Sequence, residues 1–326
     1  MKNIVIIATG GTIAGCGEVG KATNYQAGKI DINEIIDSIP MINEIANLKA
    51  IQLFNIDSNE IDEKHWLVLA NKINELVKQD DVDGIVVTHG TDTLDETAYF
   101  LNLTIHTYKP VVLTGAMRPA SATSADGPIN LYQAVCLASS DEALGHGVLA
   151  VFSSTIYSGR DIQKVSNFKI DAFDQKDFGC LGYMHDEKVN MFSRTFKKHT
   201  LQSMFSEKLP ETFCKVGIVY YYAGASVEIL SAMAKSHQGI VIIGSGSGNY
   251  SKAWLNEIER LNEQGIIFVR ASRVNQGIVY ESDVFDPNNI CIPSNTLSGQ
   301  KARVLLMLAM SQTKNIEEIK RIFYEY

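Results

Sequence analysis

The sequence predicts an α/β protein: a large N-terminal doubly wound domain followed by a smaller C-terminal α/β domain. Three observations carry this. Short β-branched apolar runs alternate with stretches of helical periodicity along the chain. Several of these runs end in polar or glycine-bearing turns, the end of the strand where open α/β sheets bind ligands. The alternation lapses once, over residues 194–213, which are basic and polar with few strand signals, and then restarts. The domains are therefore read as 1–193 and 214–326, joined by a linker at 194–213.

The elements follow in order. Residues 2–7 form a mostly apolar strand leading into Ala8-Thr9-Gly10-Gly11-Thr12-Ile13-Ala14-Gly15. The glycine-rich stretch 16–28 has no hydrophobic periodicity and carries Tyr25 near its far end. Directly after a hydroxyl-bearing turn, it reads as a lid with glycine hinges. Residues 30–39 are helical and stopped by Pro40; 48–56 form a strand ending in Asp57-Ser58-Asn59; 63–78 form an amphipathic helix.

Ile85, Val86 and Val87 make a strand buried on both faces, followed by Thr88-His89-Gly90-Thr91-Asp92-Thr93 and a helix with Asp95 and Glu96 in its first turn. Capping by Asp92 or Thr93 explains this turn taken alone. A second strand-end threonine turn, at Thr12, favours a threonine-based active site over two helix caps.

Residues 109–113 are the next buried strand, leading into Thr114-Gly115-Ala116-Met117-Arg118-Pro119. Ser124-Ala125-Asp126-Gly127-Pro128 reads as a cap with proline in the first turn, opening a helix over about 129–139. A strand at 147–152 precedes Ser158-Gly159-Arg160-Asp161-Ile162-Gln163-Lys164. In the second domain, strands at 215–221, 239–243 and 266–269 alternate with helices at 227–234, 252–263 and from Gln300. The alternation argues for parallel sheets.

Composition narrows the function. The 326 residues are 45% hydrophobic and 20% charged, the balance of an ordinary globular protein. Net charge is −8, from 29 basic and 37 acidic residues, without a basic run, which argues against nucleic acid or an anionic membrane as partner. The five cysteines are scattered with no CxxC, and no histidine spacing suggests a metal. They read as reduced cytoplasmic thiols. The first apolar run is too short for a secretory h-region, and no run reaches membrane-spanning length.

Rival motifs fail on detail. The Gly244–Asn249 run lacks the Lys-Ser/Thr of a phosphate loop, and no Gly-x-Ser-x-Gly elbow is present. His89 reads as a hydrogen-bonded turn residue rather than a ligand or base. What remains is a polar set without cofactor or metal: Thr12, Tyr25, Ser58, Thr91, Asp92 and Lys164. A threonine hydroxyl needs a base within hydrogen-bond reach. A buried lysine is made more basic-competent by desolvation, while a neighbouring aspartate favours its ammonium form, and the spacing does not rank the two effects. Asp92 would suit the ammonium of an amino-acid substrate, and the Ser58 hydroxyl its carboxylate.

Thr9-Gly-Gly-Thr-Ile-Ala-Gly15 and Thr88-His-Gly-Thr-Asp-Thr93 together closely resemble the two signature patterns of bacterial-type L-asparaginases. Gly115-Ala-Met-Arg-Pro119, Ser124-Ala-Asp-Gly-Pro128, Gly159-Arg-Asp161 with Lys164, and Gln300-Lys-Ala-Arg-Val-Leu-Leu306 extend the resemblance over essentially the whole chain. It implies hydrolysis of L-asparagine to L-aspartate and ammonia through a threonine acyl-enzyme, with some L-glutaminase activity and no cofactor. By position Thr12 resembles the nucleophile, with Tyr25 of the lid beside it, while Thr91, Lys164 and Asp92 resemble a second catalytic cluster. Ser58, Asn59, Thr91 and Asp92 match substrate-binding positions, and backbone amides near Thr91 match the oxyanion hole.

The resemblance further implies a homotetramer built as a dimer of tight dimers, in which Asn249 and an acidic residue complete a neighbour's site. Glu281 and Asp283 both align as that acid, and Asp283 is preferred. Asn59 departs from the family's usual glutamine or glutamate. Gln79 and Thr107 stand at the approximate positions of the secreted relatives' disulfide, in line with a cytoplasmic protein. Two rivals are a tRNA-dependent amidotransferase subunit of the same fold and a non-catalytic amino-acid sensor.

Overall fold

The structure, a computed structural model, describes every residue except 19, 22–24, 27 and 40, and the side chains of Tyr25 and Lys176. The chain divides into two compact units, Met1–Leu209 and Pro210–Tyr326. The stretch read as a linker carries buried residues of the first unit: His199, Ser203, Phe205 and Ser206 are all inside. Ser203 Oγ donates to the Leu103 carbonyl at 2.6 Å.

The first unit runs β1 (Lys2–Gly10), β2 (Cys16–Gly17), β3 (Tyr25–Gln26), α1 (Ile32–Asp37), α2 (Ile42–Ile45), β4 (Ala46–Ile56), α3 (Glu63–Leu76), β5 (Gly84–Thr88) and α4 (Leu94–Thr104). It continues with β6 (Val111–Thr114), α5 (Gly127–Ser139), β7 (Val148–Phe152), β8 (Thr155–Ser158), β9 (Gln163–Lys164), β10 (Phe173–Asp174), β11 (Gly182–His185) and β12 (Lys188–Met191). Its main sheet has the order β12-β11-β8-β7-β6-β5-β1-β4.

From β4 to β7 the strands are parallel, as crossovers through helices require. The alternation predicted parallel strands throughout, yet β8, β11 and β12 are antiparallel. Ser153 and Ser154, both at positive φ, turn β7 directly into β8, and such a two-residue turn can only make a hairpin.

Central strands are buried along their whole length, because helices cover both faces. Ile4, Ile6, Val86, Val112 and Leu149 share one core cluster with α1 and with Leu131, Ala134 and Val135 of α5. Elsewhere Trp66 of α3 stacks on Phe100 of α4, with ring centroids 5.1 Å apart.

After β1 the chain adds β4 on one side, then β5 on the other. The winding therefore reverses between β1 and β5. That reversal opens a crevice at the carboxyl ends of these two strands, where Thr12 and Thr91 follow.

In the second unit a four-stranded parallel sheet has the order β13 (Val216–Tyr220), β14 (Gly239–Gly244), β15 (Ile267–Ser272), β16 (Ile292–Pro293). Helices α6 (Glu228–Ala234) and α7 (Lys252–Asn262) supply Leu230, Trp254, Ile258 and Leu261 to a core with Ile240, Ile242 and Phe268. The unit ends with α8 (Gly299–Gln312) and α9 (Ile316–Glu325). Among the described residues no helix is long and apolar enough to cross a membrane.

Candidate active site

Gly90 is the point on which three strand ends converge. A Cβ at Gly11, which has φ +82°, would stand 2.5 Å from the Gly90 Cα, so the two backbones touch directly. A Cβ at Gly90 would stand 2.7 Å from both Cβ and Oγ of Ser58. The turns after β1 and β5 thus meet backbone to backbone, and the turn after β4 closes on the same glycine through the Ser58 side chain. That contact brings Thr12, Ser58 and Thr91, each next to or at the contact, into one neighbourhood. All three are buried.

Thr12 opens a short 3-10 turn, Thr12–Ala14, whose carbonyl accepts from Gly15 N at 2.8 Å. Ser58 opens another, Ser58–Glu60, capped by the Asp57 carboxylate. In the third turn neither suggested cap acts on α4. Thr93 instead donates its hydroxyl to the Ser58 carbonyl at 2.8 Å, and Asp92 faces a lysine.

That lysine is Lys164, in β9, which pairs antiparallel with β10. Its Nζ donates to Thr91 Oγ1 at 2.9 Å and to Asp92 Oδ1 at 2.5 Å. Asn59 Nδ2 adds a longer bond to Asp92 Oδ2 at 3.4 Å while also donating to Asp57 Oδ1 at 2.7 Å. The hydrogen bond from Lys164 holds the Asp92 carboxyl below the usual carboxylate range, against an opposing effect of burial. The Asp92 side chain is 55% exposed, so water screens this pair and its role is placement rather than stability.

Tyr25 is placed only by its backbone, since its side chain lies outside the described residues. Strand β3 pairs with β2, Gly17 facing Tyr25. The hairpin leans on the loop after β6, where Gly17 N donates to Ser121 Oγ at 3.0 Å.

Sequence reasoning missed two supports. Asp126 makes no side-chain cap on α5; its carboxylate reaches back to accept from Met117 N and Arg118 N, both at 2.9 Å. The proline-containing motif hid this, because a cap and a loop brace use the same residue type. The other is a buried relay behind Gly90. Trp66 Nε1–H donates to Thr97 Oγ1 at 2.9 Å, leaving that hydroxyl to donate to His89 Nε2 at 3.0 Å. His89 Nδ1–H then donates to the Gly90 carbonyl at 2.7 Å; because that carbonyl can only accept, the proton lies on Nδ1 and Nε2 of the neutral ring accepts from Thr97.

Burial pushes the His89 pKa down to about 4. Between that value and the free histidine value of about 6.5 only the unfolded chain binds the extra proton, so stability falls as pH drops through this window. The loss is on the order of 3 kcal/mol. Urea denaturation at pH 7 and pH 4.5 should show a smaller fall for His89→Gln than for the native chain; equal falls would remove His89 as the cause.

Within the second unit Asn249 ends the turn after β14. Its N donates to the Ser245 carbonyl at 2.6 Å and its carbonyl accepts from Ser245 N at 2.9 Å. Its side-chain Oδ1 is buried without a hydrogen-bond partner. Glu281 and Asp283 both lie exposed in the loop between β15 and β16. Among the described residues no cluster of three or more His, Cys, Asp or Glu could hold a metal ion, and all five cysteines are free.

Family models match both units: "Asparaginase, N-terminal" over residues 3–197 and "Glutaminase/Asparaginase C-terminal domain" over 215–323. L-asparaginase 2 of Escherichia coli is 42% identical, across 100% of this chain and 94% of that protein. A probable periplasmic L-asparaginase of Haemophilus influenzae is also 42% identical, covering 100% and 93%. A glutaminase-asparaginase of Pseudomonas fluorescens is 40% identical, covering 100% and 91%. The solved structure of a probable cytoplasmic L-asparaginase from Campylobacter jejuni superposes with a TM-score of 0.96 at 42% identity, each chain covered in full. Matched by both domain models and aligned end to end with these relatives, the chain belongs to the asparaginase family.

Proposed function

We propose that the protein is an L-asparaginase, hydrolysing L-asparagine to L-aspartate and ammonia, with minor activity on L-glutamine. The observation that carries the reading is Lys164 bonded to both Thr91 and Asp92, in a turn whose Gly90 backbone touches that of Gly11 beside Thr12. The Thr12 hydroxyl attacks the side-chain amide carbonyl, and backbone amides near Thr91 take up the negative charge on oxygen. The proton given up by the Thr12 hydroxyl passes to the amide nitrogen, the C–N bond breaks, and the nitrogen leaves as ammonia. Water, activated by the Thr91–Lys164 pair, then cleaves the Thr12 ester. Asp92 holds the substrate ammonium with help from Asn59, and Ser58 holds its carboxylate. Tyr25 closes over the nucleophile.

In this reading the enzyme is a homotetramer, a dimer of tight dimers, with Asn249 and Asp283 completing a neighbour's site. The unpartnered Asn249 Oδ1 supports it, since a buried acceptor is costly unless a partner arrives. The cytoplasm is its proposed location, supported by the five free thiols and by the cytoplasmic description of the C. jejuni relative.

Ammonia release measured in parallel on L-asparagine and L-glutamine tests the activity. Turnover of neither substrate would leave a sensor, and glutamine turnover that depends on tRNA would leave an amidotransferase subunit. Dilution monitored by light scattering should remove activity as the subunits part. A fully active monomer would contradict the shared site.

A further inference from the structure

The second unit buries a guanidinium. Arg270 in β15 is only 2% exposed, and a buried cation is costly without strong partners. Its partners are backbone carbonyls from two separate loops: Nη1 donates to Ser247 at 2.8 Å, and Nη2 donates to Tyr280. Nε is left without a partner. The stem of Arg270 also fits beneath Gly248, which has φ +85° and where a Cβ would stand 2.9 Å from Arg270 Cγ.

These two loops carry the residues assigned to the neighbour's site. Ser247 lies two positions before Asn249, and Tyr280 three before Asp283. The first loop is further closed by Ser272 Oγ donating to the Gly246 carbonyl at 2.5 Å and Arg273 N donating to the Gly244 carbonyl at 2.9 Å. Asn249 therefore stands on a loop held from below by the strand that bears Arg270. The loop of Asp283 is tied to that strand by the other arm of the same guanidinium.

We propose that Arg270 is a positioning residue for this site, fixing the spacing of Asn249 and Asp283 by bridging the two loops. The inference rests on the proposed role of those two residues. A planar fork with several fixed donors suits such a bridge; the single flexible ammonium of lysine does not.

The test is a mutant cycle on the full-length enzyme, read as kcat and KM for L-asparagine alongside the melting temperature. Arg270→Lys should lower kcat/KM roughly tenfold, chiefly by raising KM. In an Asn249→Ala/Asp283→Ala background the same change should cost no more than about twofold, because the residues it positions are gone. An equal loss in both backgrounds, or no loss in the native one, would overturn the brace. Native kcat/KM in the Asn249→Ala/Asp283→Ala background alone would instead overturn the assignment of those residues to a site. Arg270→Met is the second variant. Failure of both Arg270 variants to fold would make the residue a requirement of the domain and end the proposal.

Discussion

Thr12→Ala should reduce kcat for L-asparagine by about 10⁴-fold or more, with the melting temperature within a few degrees of the native value. A covalent nucleophile has no substitute, and losses of this size follow removal of one. The fold should survive because the substitution keeps Cβ, and the turn Thr12–Ala14 is closed by backbone, Gly15 N to the Thr12 carbonyl. Thr91 is the competing nucleophile, since its hydroxyl already accepts from Lys164. Acid-quenched enzyme, digested and weighed by mass spectrometry after mixing with substrate, separates the two. An adduct of asparagine less ammonia should appear on the Thr12 peptide. An adduct on the Thr91 peptide, or residual turnover within tenfold of native for Thr12→Ala, would move the nucleophile to Thr91.

The sequence made the alternating strands and helices readable because burial on both faces leaves uninterrupted apolar runs, as in β5, β6 and β7. Strands β11 and β12 escaped because they are half-exposed, with alternating burial, and joined by Asp186-Glu187 rather than a glycine turn. Their hairpin signal was therefore absent. At the site, Thr12 and Thr91 were recognisable from their glycine-flanked turns, yet the contact that unites them was not. It is a meeting of Gly11 and Gly90 backbones, remote in sequence, and a glycine announces only that something comes close. Arg270 was overlooked for a different reason. A charged residue at the end of an apolar run reads as the end of the strand, whereas β15 continues to Ser272 and buries the cation against carbonyls that no side-chain pattern records.

Lys164→Met should lower kcat by roughly 10³-fold, the scale of a lost proton-transfer group, and should also move the acid limb of kcat/KM. Native Asp92 sits below the usual carboxylate range first because Lys164 donates to it, then because of the lysine charge and the Asn59 bond; only burial pushes the other way. Taking Lys164 away removes the leading cause and leaves burial less opposed, so Asp92 must titrate at a higher pH. In its proposed role Asp92 must be ionised to hold the substrate ammonium. The acid limb of the variant should therefore lie at higher pH than that of the native enzyme, while Thr91→Val, which leaves the Lys164–Asp92 bond in place, should lower kcat without moving it. An unmoved limb in Lys164→Met would show that Asp92 ionisation does not limit binding. A fall in kcat smaller than tenfold would remove Lys164 from the chemistry and reduce it to a tether for the turn. The two readouts are independent, because one reports the proton on Asp92 and the other the proton passed through Thr91, though a single ammonium touches both.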